Sequence, residues 1–394
     1  MTRSRLNFGT FRISKLAAGA SALALVSSVA MVATSGASSN STAVSSVNIA
    51  VGKVGVPSQQ HTMASVCGTK PVDVGVVDGY GINAWSQLVK ASIVDAAATC
   101  KSIKRVDYVA GQGSLATTTA GITSLAAKGD KIILVIPDAG TGASQLPAIR
   151  AATKAGSYVI PFAQAPAGTA GKDFLDYVDQ SPPYSGQVWA SWMVKRLGKK
   201  GGNVVFLGGP AGNAVSSGEL IGINQVLKKN PQVKLLNATP VTTNWDPAMA
   251  QTAMTGLLSQ YHNIAGVMTD YGAVATGVIR AYQAAGLKLV PISATDQMSL
   301  SCGFNALKAK NPNYQLVTVS SRTWAGEAAL RKGLAAFEGL PDTEPSIYNL
   351  PAFEDSTGGT PGSILPSKAC KPGVPGDASP SSGLTVAQLK KVFG

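Results

Sequence analysis

Residues 72–77 read VDVGVV, and this short apolar run is followed by the polar, glycine-rich residues 78–83, DGYGIN, and then by a helix-like stretch. The same order recurs five times before Ser181 and about five times after it. The apolar runs are residues 72–77, 106–110, 131–136, 158–162, 174–178, 203–207, 233–236, 264–268, 287–292 and 315–319. Short runs rich in Val, Ile and Leu, separated by enough chain for a crossover helix, indicate parallel strands buried on both faces. The sequence therefore predicts an α/β protein with two doubly wound parallel-sheet lobes.

Two of the intervening helices carry local start signals. Asp246-Pro247 combines an N-cap residue with proline at the first helical position, which predicts a helix over residues 248–261. Residues 216–219, SSGE, have the spacing of a capping box. These signals support the alternation of strands and helices independently of the apolar runs.

The first 37 residues have the pattern of an export signal. Residues 1–15 carry four cations and no acid, and they lead into the uncharged stretch 16–33, which is rich in Ala, Gly and Ser. Small residues that a signal peptidase recognises follow at 28–30 and 35–37. We predict a secretory signal over residues 1–37 and an extracytoplasmic mature protein.

An uncleaved membrane anchor is the alternative, since about 18 apolar residues approach the length of a membrane span. No cysteine lies near the cleavage region, so we expect no lipid anchor there.

Charge and composition limit the partners. The net charge of +13 becomes +9 without the four cations of the signal, and only 13% of the residues are charged. Without an arginine-rich stripe, this basicity indicates solubility and attraction to an anionic envelope surface, and we expect no nucleic-acid partner. Residues 38–70 are rich in Ser, Thr, Val and Gly without a period, which is typical of a flexible spacer.

The four cysteines are Cys67, Cys100, Cys302 and Cys370. An even number in an exported chain favours disulfides, although four cysteines allow three pairings. Cys67 precedes the first predicted strand and Cys100 follows its crossover helix, so both are expected at one edge of the first lobe. The other two would then tie the C-terminal tail to the second lobe. Because the spacings do not suit a metal and the only histidines are His61 and His262, we expect no metal site.

The signals of catalysis are missing. We find no nucleophile with a base, no carboxylate pair and no metal cluster, so we expect no catalytic residue and no cofactor, and an extracellular enzyme is disfavoured. His262, at a helix end, is interpreted as a surface or capping residue. Residues 208–212, GGPAG, follow a strand and precede a helix, as a phosphate loop does. They lack the Lys-Ser/Thr of a Walker motif and the spacing of a dinucleotide fingerprint, so we interpret them as a tight exit from the strand.

Aromatic and planar polar residues recur after the predicted strands, where open α/β sheets bind ligands. The candidate ligand-binding residues are Tyr80, Asn83, Trp85, Gln164, Asn213, Trp245, Asp270, Asp296 and Arg322. Aromatic rings cover the C–H face of a polyhydroxylated ligand, and fixed polar groups bond its hydroxyls. Each residue also has a plainer interpretation, since a tryptophan at a strand–helix junction can be packing and Asp246 a helix cap. Their recurrence at one level of the fold favours a site for a small sugar or polyol.

Six segments match the pattern and spacing of a known family. They are residues 74–77 (VGVV), 83–85 (NAW), 127–137 (AKGDKIILVIP), 156–161 (GSYVIP), 206–209 (FLGG) and 267–270 (VMTD). On these, residues 72–351 resemble a periplasmic binding protein of type I, in the ribose- and galactose-binding group of sugar receptors of ABC importers. The resemblance implies a monomer that hands a small-molecule ligand to the importer's membrane subunits.

The resemblance also implies which residues contact the ligand: Asn83 and Trp85 from the first lobe, and Trp245, Asp270 and Thr295 or Asp296 from the second. Three positions depart from the family. The usual Asp-Arg pair after the fourth strand is Ala163-Gln164, the second-lobe arginine falls near Ser217, and the usual Asn-Asp reads Asp270-Tyr271. These departures argue against ribose itself and leave the architecture unchanged.

A three-segment hinge is implied too, with crossings near residues 179–183, 321–324 and 350–353. The first lobe would comprise residues 71–180 and 323–346, and the second residues 181–322 and 347–394. Residues 354–391 form a Gly-, Pro- and Ser-rich tail that is longer than the family core needs. A sensing module that presents its bound form to a membrane receptor is the alternative function. A transcriptional repressor with the same core is disfavoured by the export signal and the missing N-terminal helix-turn-helix.

Overall fold

The structure is a computed structural model that describes residues 51–139 and 143–393. Its strands are β1 Val54–Gly55, β2 Val72–Asp78, β3 Ile103–Ala110, β4 Ile132–Ile136, β5 Tyr158–Pro161, β6 Asp179–Gln180, β7 Gly202–Gly208, β8 Val233–Leu235, β9 Val241–Thr242, β10 Ile264–Thr269, β11 Ile292–Thr295, β12 Leu316–Val319, β13 Ile347–Tyr348 and β14 Glu354–Asp355. Its helices are α1 Ala84–Ala98, α2 Leu115–Lys128, α3 Leu146–Lys154, α4 Pro182–Leu197, α5 Ala214–Leu227, α6 Pro247–Gln260, α7 Gly272–Ala284, α8 Met298–Lys310, α9 Ala325–Glu338, α10 Pro366–Ala369 and α11 Val386–Phe393. Single 3₁₀ turns lie at Pro57–Gln59, Met63–Ser65, Gly198–Lys200 and Pro380–Ser382. The predicted alternation is confirmed.

Two parallel sheets organise the chain. The first has the order β3-β2-β4-β5. The second has the order β14-β12-β11-β10-β7-β8, with β9 also paired to β7, and only β14 is antiparallel to its neighbour. We call the first sheet with α1, α2, α3 and α9 the first lobe, and the second sheet with α4 to α8 the second lobe.

Helices cover both faces of each sheet. In the first lobe, Ile93 of α1 packs in one apolar layer and Ile122 of α2 in the other, and both are fully buried. In the second lobe, Trp189 of α4 lies on one face and Val278 of α7 on the opposite face. Strands covered on both faces explain why the apolar runs are nearly continuous rather than alternating.

Of the two helix-start signals predicted from the sequence, one is confirmed and the other is wrong. Asp246 caps α6 as predicted, because its Oδ1 accepts hydrogen bonds from the backbone N–H of Ala248 at 2.7 Å and of Met249 at 2.8 Å. The prediction of a capping box at residues 216–219 is wrong, since α5 begins at Ala214 and its N-cap is Asn213. Glu219 is instead fully buried inside the helix.

Two predicted strands differ from the structure. Residues 174–178 make only isolated bridges, because Asp176 Oδ1 accepts the N–H of Tyr177 at 2.8 Å and so interrupts the ladder. Residues 287–292 contribute only Ile292, where β11 begins. Pro291 has no N–H to donate, and the N–H of Leu289 donates to the side chain of Asn311 at 2.9 Å.

The chain passes between the lobes at the three expected places. β6 leads into α4, β12 is followed by α9, and β13 is followed by β14. β1, β13 and β6 form a small parallel sheet at these crossings. Residues 51–70, which composition assigned to a spacer, therefore carry a paired strand here. The lobe boundaries themselves stay a prediction.

Both expected disulfides are present, Cys67–Cys100 and Cys302–Cys370. The first fixes the segment before β2 to the end of α1, and the second fixes the tail to α8. The predicted signal and residues 38–50 lie outside the described residues. Among the described helices, none combines the length and the apolar character that a membrane crossing requires.

Candidate functional site

A cavity lies between the two lobes, at the carboxyl ends of their strands. Its lining residues are Asn83, Trp85, Ile136, Asp138, Ala163, Gln164, Val215, Trp245, Asp270, Tyr271, Thr295, Ser321 and Arg322. The empty space between them, measured out to the open mouth, is about 540 Å³. Because the mouth is open, this figure includes solvent space outside the enclosed part of the cavity.

The structure brings six of the nine candidate residues to this cavity: Asn83, Trp85, Gln164, Trp245, Asp270 and Arg322. The two indoles come from opposite lobes, Trp85 from the first turn of α1 and Trp245 from the loop before α6. Three candidates, Tyr80, Asn213 and Asp296, are not among the lining residues.

Tyr80 lies beside the cavity and contacts one of its walls. Its ring meets the indole of Trp245 edge to face, with 5.9 Å between the ring centroids. Because Tyr80 follows β2 and Trp245 follows β9, the pair joins the two lobes. The lobes therefore meet across the cleft in a closed arrangement.

Asn213 uses its amide to begin α5. Its Oδ1 accepts the N–H of Ser216 at 2.8 Å, and its Nδ2 donates to the carbonyl of Pro210 at 2.6 Å. Side-chain caps of this kind satisfy backbone groups that a helix leaves unpaired. The residue thus shapes the glycine-rich turn rather than the cavity wall.

Asp296 is not among the lining residues and bonds Ser321 and the C-terminal tail. Its carboxylate accepts hydrogen bonds from Ser321 N at 2.6 Å, Ser381 N at 2.7 Å and Ser379 Oγ at 2.8 Å. Burial raises the pKa of this carboxyl, and these hydrogen bonds act in the opposite direction. Of the two adjacent residues that the family resemblance offered, it is Thr295 that lines the cavity.

The two carboxylate oxygens of Asp270 differ in their hydrogen bonds. Its Oδ2 accepts from Ser216 Oγ at 2.5 Å, Gly209 N at 2.8 Å and Trp245 Nε1 at 3.0 Å. Its Oδ1 is buried and has no hydrogen-bond partner among the described residues. Burial raises the pKa of the carboxyl, opposed by those hydrogen bonds. A fixed acceptor with one open oxygen is suited to a ligand that donates a hydrogen bond.

The glycine-rich turn at 208–212 serves this carboxylate and not a phosphate. The N–H of Gly209 donates to Asp270, and a Cβ on Gly209 would lie 2.2 Å from Cε2 of Trp245. No side chain larger than hydrogen fits beneath the indole without moving it. Gly209 is therefore required by the close approach of Trp245.

Arg322 is the only cation among the lining residues that the structure describes. Its Nε lies 3.8 Å from Oδ1 of Asp179, too far for a hydrogen bond. Asp179 and Glu219 are fully buried, and burial raises the pKa of both. The positive charge of Arg322 opposes these shifts. The guanidinium is thus attracted by several carboxylates without being saturated by any of them.

Two amides complete the polar wall. Gln164 Nε2 donates to the carbonyl of Pro137 at 3.2 Å, and its buried Oε1 lacks a partner within the described residues. Asn83 Oδ1 accepts the N–H of Ser86 at 2.8 Å and so caps α1. Each amide is therefore fixed through one of its two polar atoms, and both residues line the cavity.

Trp85 ties the first lobe to the chain that crosses between the lobes. Its Nε1 donates to the carbonyl of Ser321 at 2.7 Å, beside Arg322. The indole is also packed against the apolar layer between the first sheet and α1. Trp85 therefore combines an exposed cavity face with a structural contact.

Asp138 lines the cavity and was not predicted. It follows Pro137 at the end of β4, at the level where the other polar residues were sought. Burial and the neighbouring charge of Asp78 raise its pKa well above the usual range. The signal that could have found it is its position directly after a buried strand.

Backbone strain is concentrated at the cavity. Five non-glycine residues of the described chain have positive φ, and three of them line the cavity: Ala163 at 59°, Trp245 at 56° and Arg322 at 55°. The left-handed conformation costs about 1 kcal/mol for such residues, and it persists where the surroundings impose it, often at binding sites.

Within the part of the chain that the structure describes, one group elsewhere offers metal-binding atoms. His61, Asp342 and Glu344 bring a ligand atom each to within 4.8 Å of one another. However, Asp342 accepts from Lys332 Nζ at 2.9 Å, and Glu344 accepts from Arg331 Nη2 at 2.6 Å. The carboxylates already have cationic partners, so this group is better described as a buried ion-pair network.

Comparison with known proteins identifies relatives of the whole core. The family described as "periplasmic binding protein domain" matches residues 74–338. The xylitol-binding protein of Mycolicibacterium smegmatis is 28% identical over 266 residues, which cover 66% of this chain and 71% of that protein. The D-allose-binding periplasmic protein of Escherichia coli is 33% identical over 97 residues, 25% of this chain and 30% of its own length.

Solved structures share the fold. The periplasmic binding protein component of the arabinose ABC transporter from Shewanella sp. ANA-3, bound to L-arabinofuranose, superposes with a TM-score of 0.62. It is 18% identical in sequence, and the match covers 72% of this chain and 91% of that one. The type I periplasmic binding protein fold, expected from the sequence, is confirmed.

Proposed function

This chain belongs to the periplasmic binding protein domain family, and from that membership we propose that it is the extracytoplasmic receptor of an ABC importer. It binds one neutral sugar or polyol between its lobes and presents the closed form to the importer's membrane subunits. Its relatives are named as binding proteins of sugars and polyols rather than as enzymes. We further propose that it acts as a monomer.

The observation that carries this proposal is the composition of the cavity. Trp85 and Trp245 line it from opposite lobes, and two further lining residues, Asp270 and Gln164, each have a buried acceptor oxygen without a hydrogen-bond partner among the described residues. Indoles cover the C–H face of a pyranose, furanose or extended polyol, while carboxylate and amide oxygens bond the hydroxyls. We propose Asn83, Trp85, Gln164, Trp245, Asp270 and Arg322 as the ligand contacts.

Charge favours a neutral ligand over an acidic one. Asp138 and Asp270 line the cavity, and Asp179 and Glu219 are buried near the guanidinium of Arg322. Burial raises the pKa of all four carboxyls, so negative charge is already unfavourable here. A sugar acid would add a further negative charge to this low-dielectric region. A hydroxyl can instead donate to Asp270 and accept from Arg322 without any net charge.

A thermal-shift screen tests the proposal. Ligands that bind only the folded state raise the melting temperature, by an amount that grows with the ratio of free ligand concentration to Kd. The screen should contain neutral pentoses, hexoses and polyols including xylitol, the matching sugar acids, and amino acids. We expect stabilisation by at least one neutral sugar or polyol and a weaker effect from its acid. Stabilisation by amino acids alone would refute the proposed ligand class.

A further inference from the structure

The C-terminal tail is attached firmly to the second lobe. Cys370 forms a disulfide with Cys302 of α8. Beyond it, the carbonyl of Gly376 accepts the N–H of Ser299 at 2.9 Å, and the carbonyl of Ala378 accepts the N–H of Met298 at 2.8 Å. The tail therefore runs along the first turn of α8, where the disulfide and these hydrogen bonds hold it.

The tail then bonds the segment that crosses between the lobes. Ser379 Oγ donates to Asp296 Oδ2 at 2.8 Å and accepts from Ser321 Oγ at 2.5 Å. Ser381 Oγ lies 2.8 Å from Ser320 Oγ. Ser321 immediately precedes Arg322, and its carbonyl accepts the indole N–H of Trp85. Contacts of the tail thus reach the backbone that carries a cavity residue.

The last helix of the tail docks on the first lobe. Leu389 of α11 is fully buried, and it packs with Leu88 of α1. Gln388 Nε2 donates to Asp95 Oδ2, also on α1, at 2.8 Å. The exposed side of α11 carries Lys390 and Lys391. The helix thus presents an apolar face to α1 and a charged face to solvent.

One small apolar cluster contains residues of both lobes and of the tail. Its buried members are Leu88 of the first lobe, Met298 of the second lobe, and Ala378, Leu384 and Leu389 of the tail. Each of these five side chains is no more than 5% exposed. A rotation that opens the cleft changes the distance between Leu88 and Met298, so it must break this cluster or peel α11 away from α1.

We propose that residues 370–393 are a strap that joins the two lobes, stabilises their closed arrangement and thereby strengthens ligand binding in the cleft. The part that concerns ligand binding rests on the proposed function. A strap anchored covalently on one lobe adds contact free energy only when the other lobe is within reach. Since apparent affinity is proportional to the fraction of protein in the binding-competent form, a strap that raises this fraction raises affinity.

Two variants detach the strap and one serves as a control. Leu389→Asp introduces a charge into the apolar cluster, where burial of an unpaired charge is strongly unfavourable. A chain ending after Gly383 lacks α11 altogether and keeps both disulfides. Lys391→Ala changes an exposed residue of the same helix and should leave docking intact.

The decisive measurement is the distance between the lobes in the protein without ligand. All four native cysteines are in disulfides, so cysteines introduced at the exposed positions Thr117 and Lys229 can be spin-labelled selectively. Double electron–electron resonance should give one narrow distance for wild type and Lys391→Ala. Leu389→Asp and the shortened chain should give a longer or clearly broader distribution. An unchanged distribution in both detached variants would overturn the proposal.

Affinity provides the second readout. Titration with xylitol, or with the best ligand of the screen, should be about tenfold weaker for Leu389→Asp, the effect expected from losing one buried leucine from the closed form. Because the distance measurement needs no ligand, the two proposals fail separately. A protein that binds no sugar yet opens when the strap is detached refutes only the proposed function.

Discussion

The indole N–H of Trp245 donates a hydrogen bond of 3.0 Å to Oδ2 of Asp270, so that the aromatic wall of the cavity and its charged acceptor hold each other in place. The same oxygen accepts from Gly209 and Ser216, and the second oxygen is buried without a hydrogen-bond partner among the described residues. Each of these contacts can be removed separately, which makes the site testable.

Asp270→Asn should weaken binding of a neutral sugar or polyol by about tenfold to a hundredfold. The change keeps the shape of the side chain and removes the charge that strengthens its hydrogen bonds, worth roughly 1.5–3 kcal/mol for a charged acceptor. Calorimetric titration measures the loss. Asp246→Asn is the matched control, because Asp246 caps α6 outside the cavity and asparagine caps a helix equally well. Equal affinities for the two variants would remove Asp270 from the binding site.

Trp245→Ala should reduce affinity more than stability. The indole lines the cavity in a strained backbone conformation with φ of 56°, and it is only partly buried. Loss of its aromatic face should weaken binding by roughly 1–3 kcal/mol. Trp245→Phe keeps a ring but loses the N–H to Asp270, and it should lie between wild type and alanine. A melting temperature that falls steeply while affinity stays unchanged would identify Trp245 as a packing residue.

Gly209→Ala should impair binding in the same direction as Trp245→Ala. An added Cβ would lie 2.2 Å from the indole, so the ring must move out of the cavity wall. Gly256→Ala is the control, because Gly256 is an exposed residue of α6 with no atom within 4 Å of an added Cβ. Alanine there should leave affinity unchanged and stabilise the fold by roughly 0.5–1 kcal/mol. Titration and thermal melting of both variants check this pair.

Glu354→Gln should alter the pH dependence of stability. Glu354 is fully buried, and burial raises its pKa from 4.5 to about 7, against the hydrogen bond donated by Thr318 Oγ1 at 2.6 Å. Between these two values the folded protein retains a proton that the unfolded chain has lost. The free energy of unfolding therefore decreases as the pH rises from 4.5 to about 7. Above pH 7, Glu354 makes no further contribution to the pH dependence of stability.

The glutamine variant lacks this ionisation, so its free energy of unfolding should not decrease in this way. The difference between the variant and wild type should therefore grow between pH 4.5 and pH 7, by up to about 3 kcal/mol. Urea unfolding at several pH values measures the difference. Glu338→Gln, at the partly exposed end of α9, is the control. A constant difference between Glu354→Gln and wild type across the pH range would contradict the assignment.

The repeated apolar runs predicted the fold well because strands covered on both faces leave an almost continuous hydrophobic signal. They failed where one residue diverts a backbone group, as Asp176 does for Tyr177 within residues 174–178. Pro291 similarly delays the start of β11, since a proline cannot donate to the ladder. Such local competition between side chain and backbone does not alter the apolar pattern.

The site was predictable only in part. A polar residue after a strand can face the cavity or bond nearby backbone, and sequence does not distinguish these outcomes. Asp270 faces the cavity, whereas Asp296 bonds serines of a tail that lies more than 80 residues further along the chain. Asn213 is used by its own helix. The strap could not be foreseen, because its apolar contacts with Leu88 and Met298 depend on the relative placement of both lobes.

The central claim is that one neutral sugar or polyol binds between Trp85 and Trp245. Calorimetric titration of the protein without its predicted signal, first with xylitol and then with the other neutral compounds of the screen, tests this most directly. The account predicts saturable binding of at least one compound with one site per chain, weakened in both Trp245→Ala and Asp270→Asn. Two results would contradict it. One is a cooperatively folded wild-type protein that binds no neutral sugar or polyol, and the other is full affinity for the ligand in both variants.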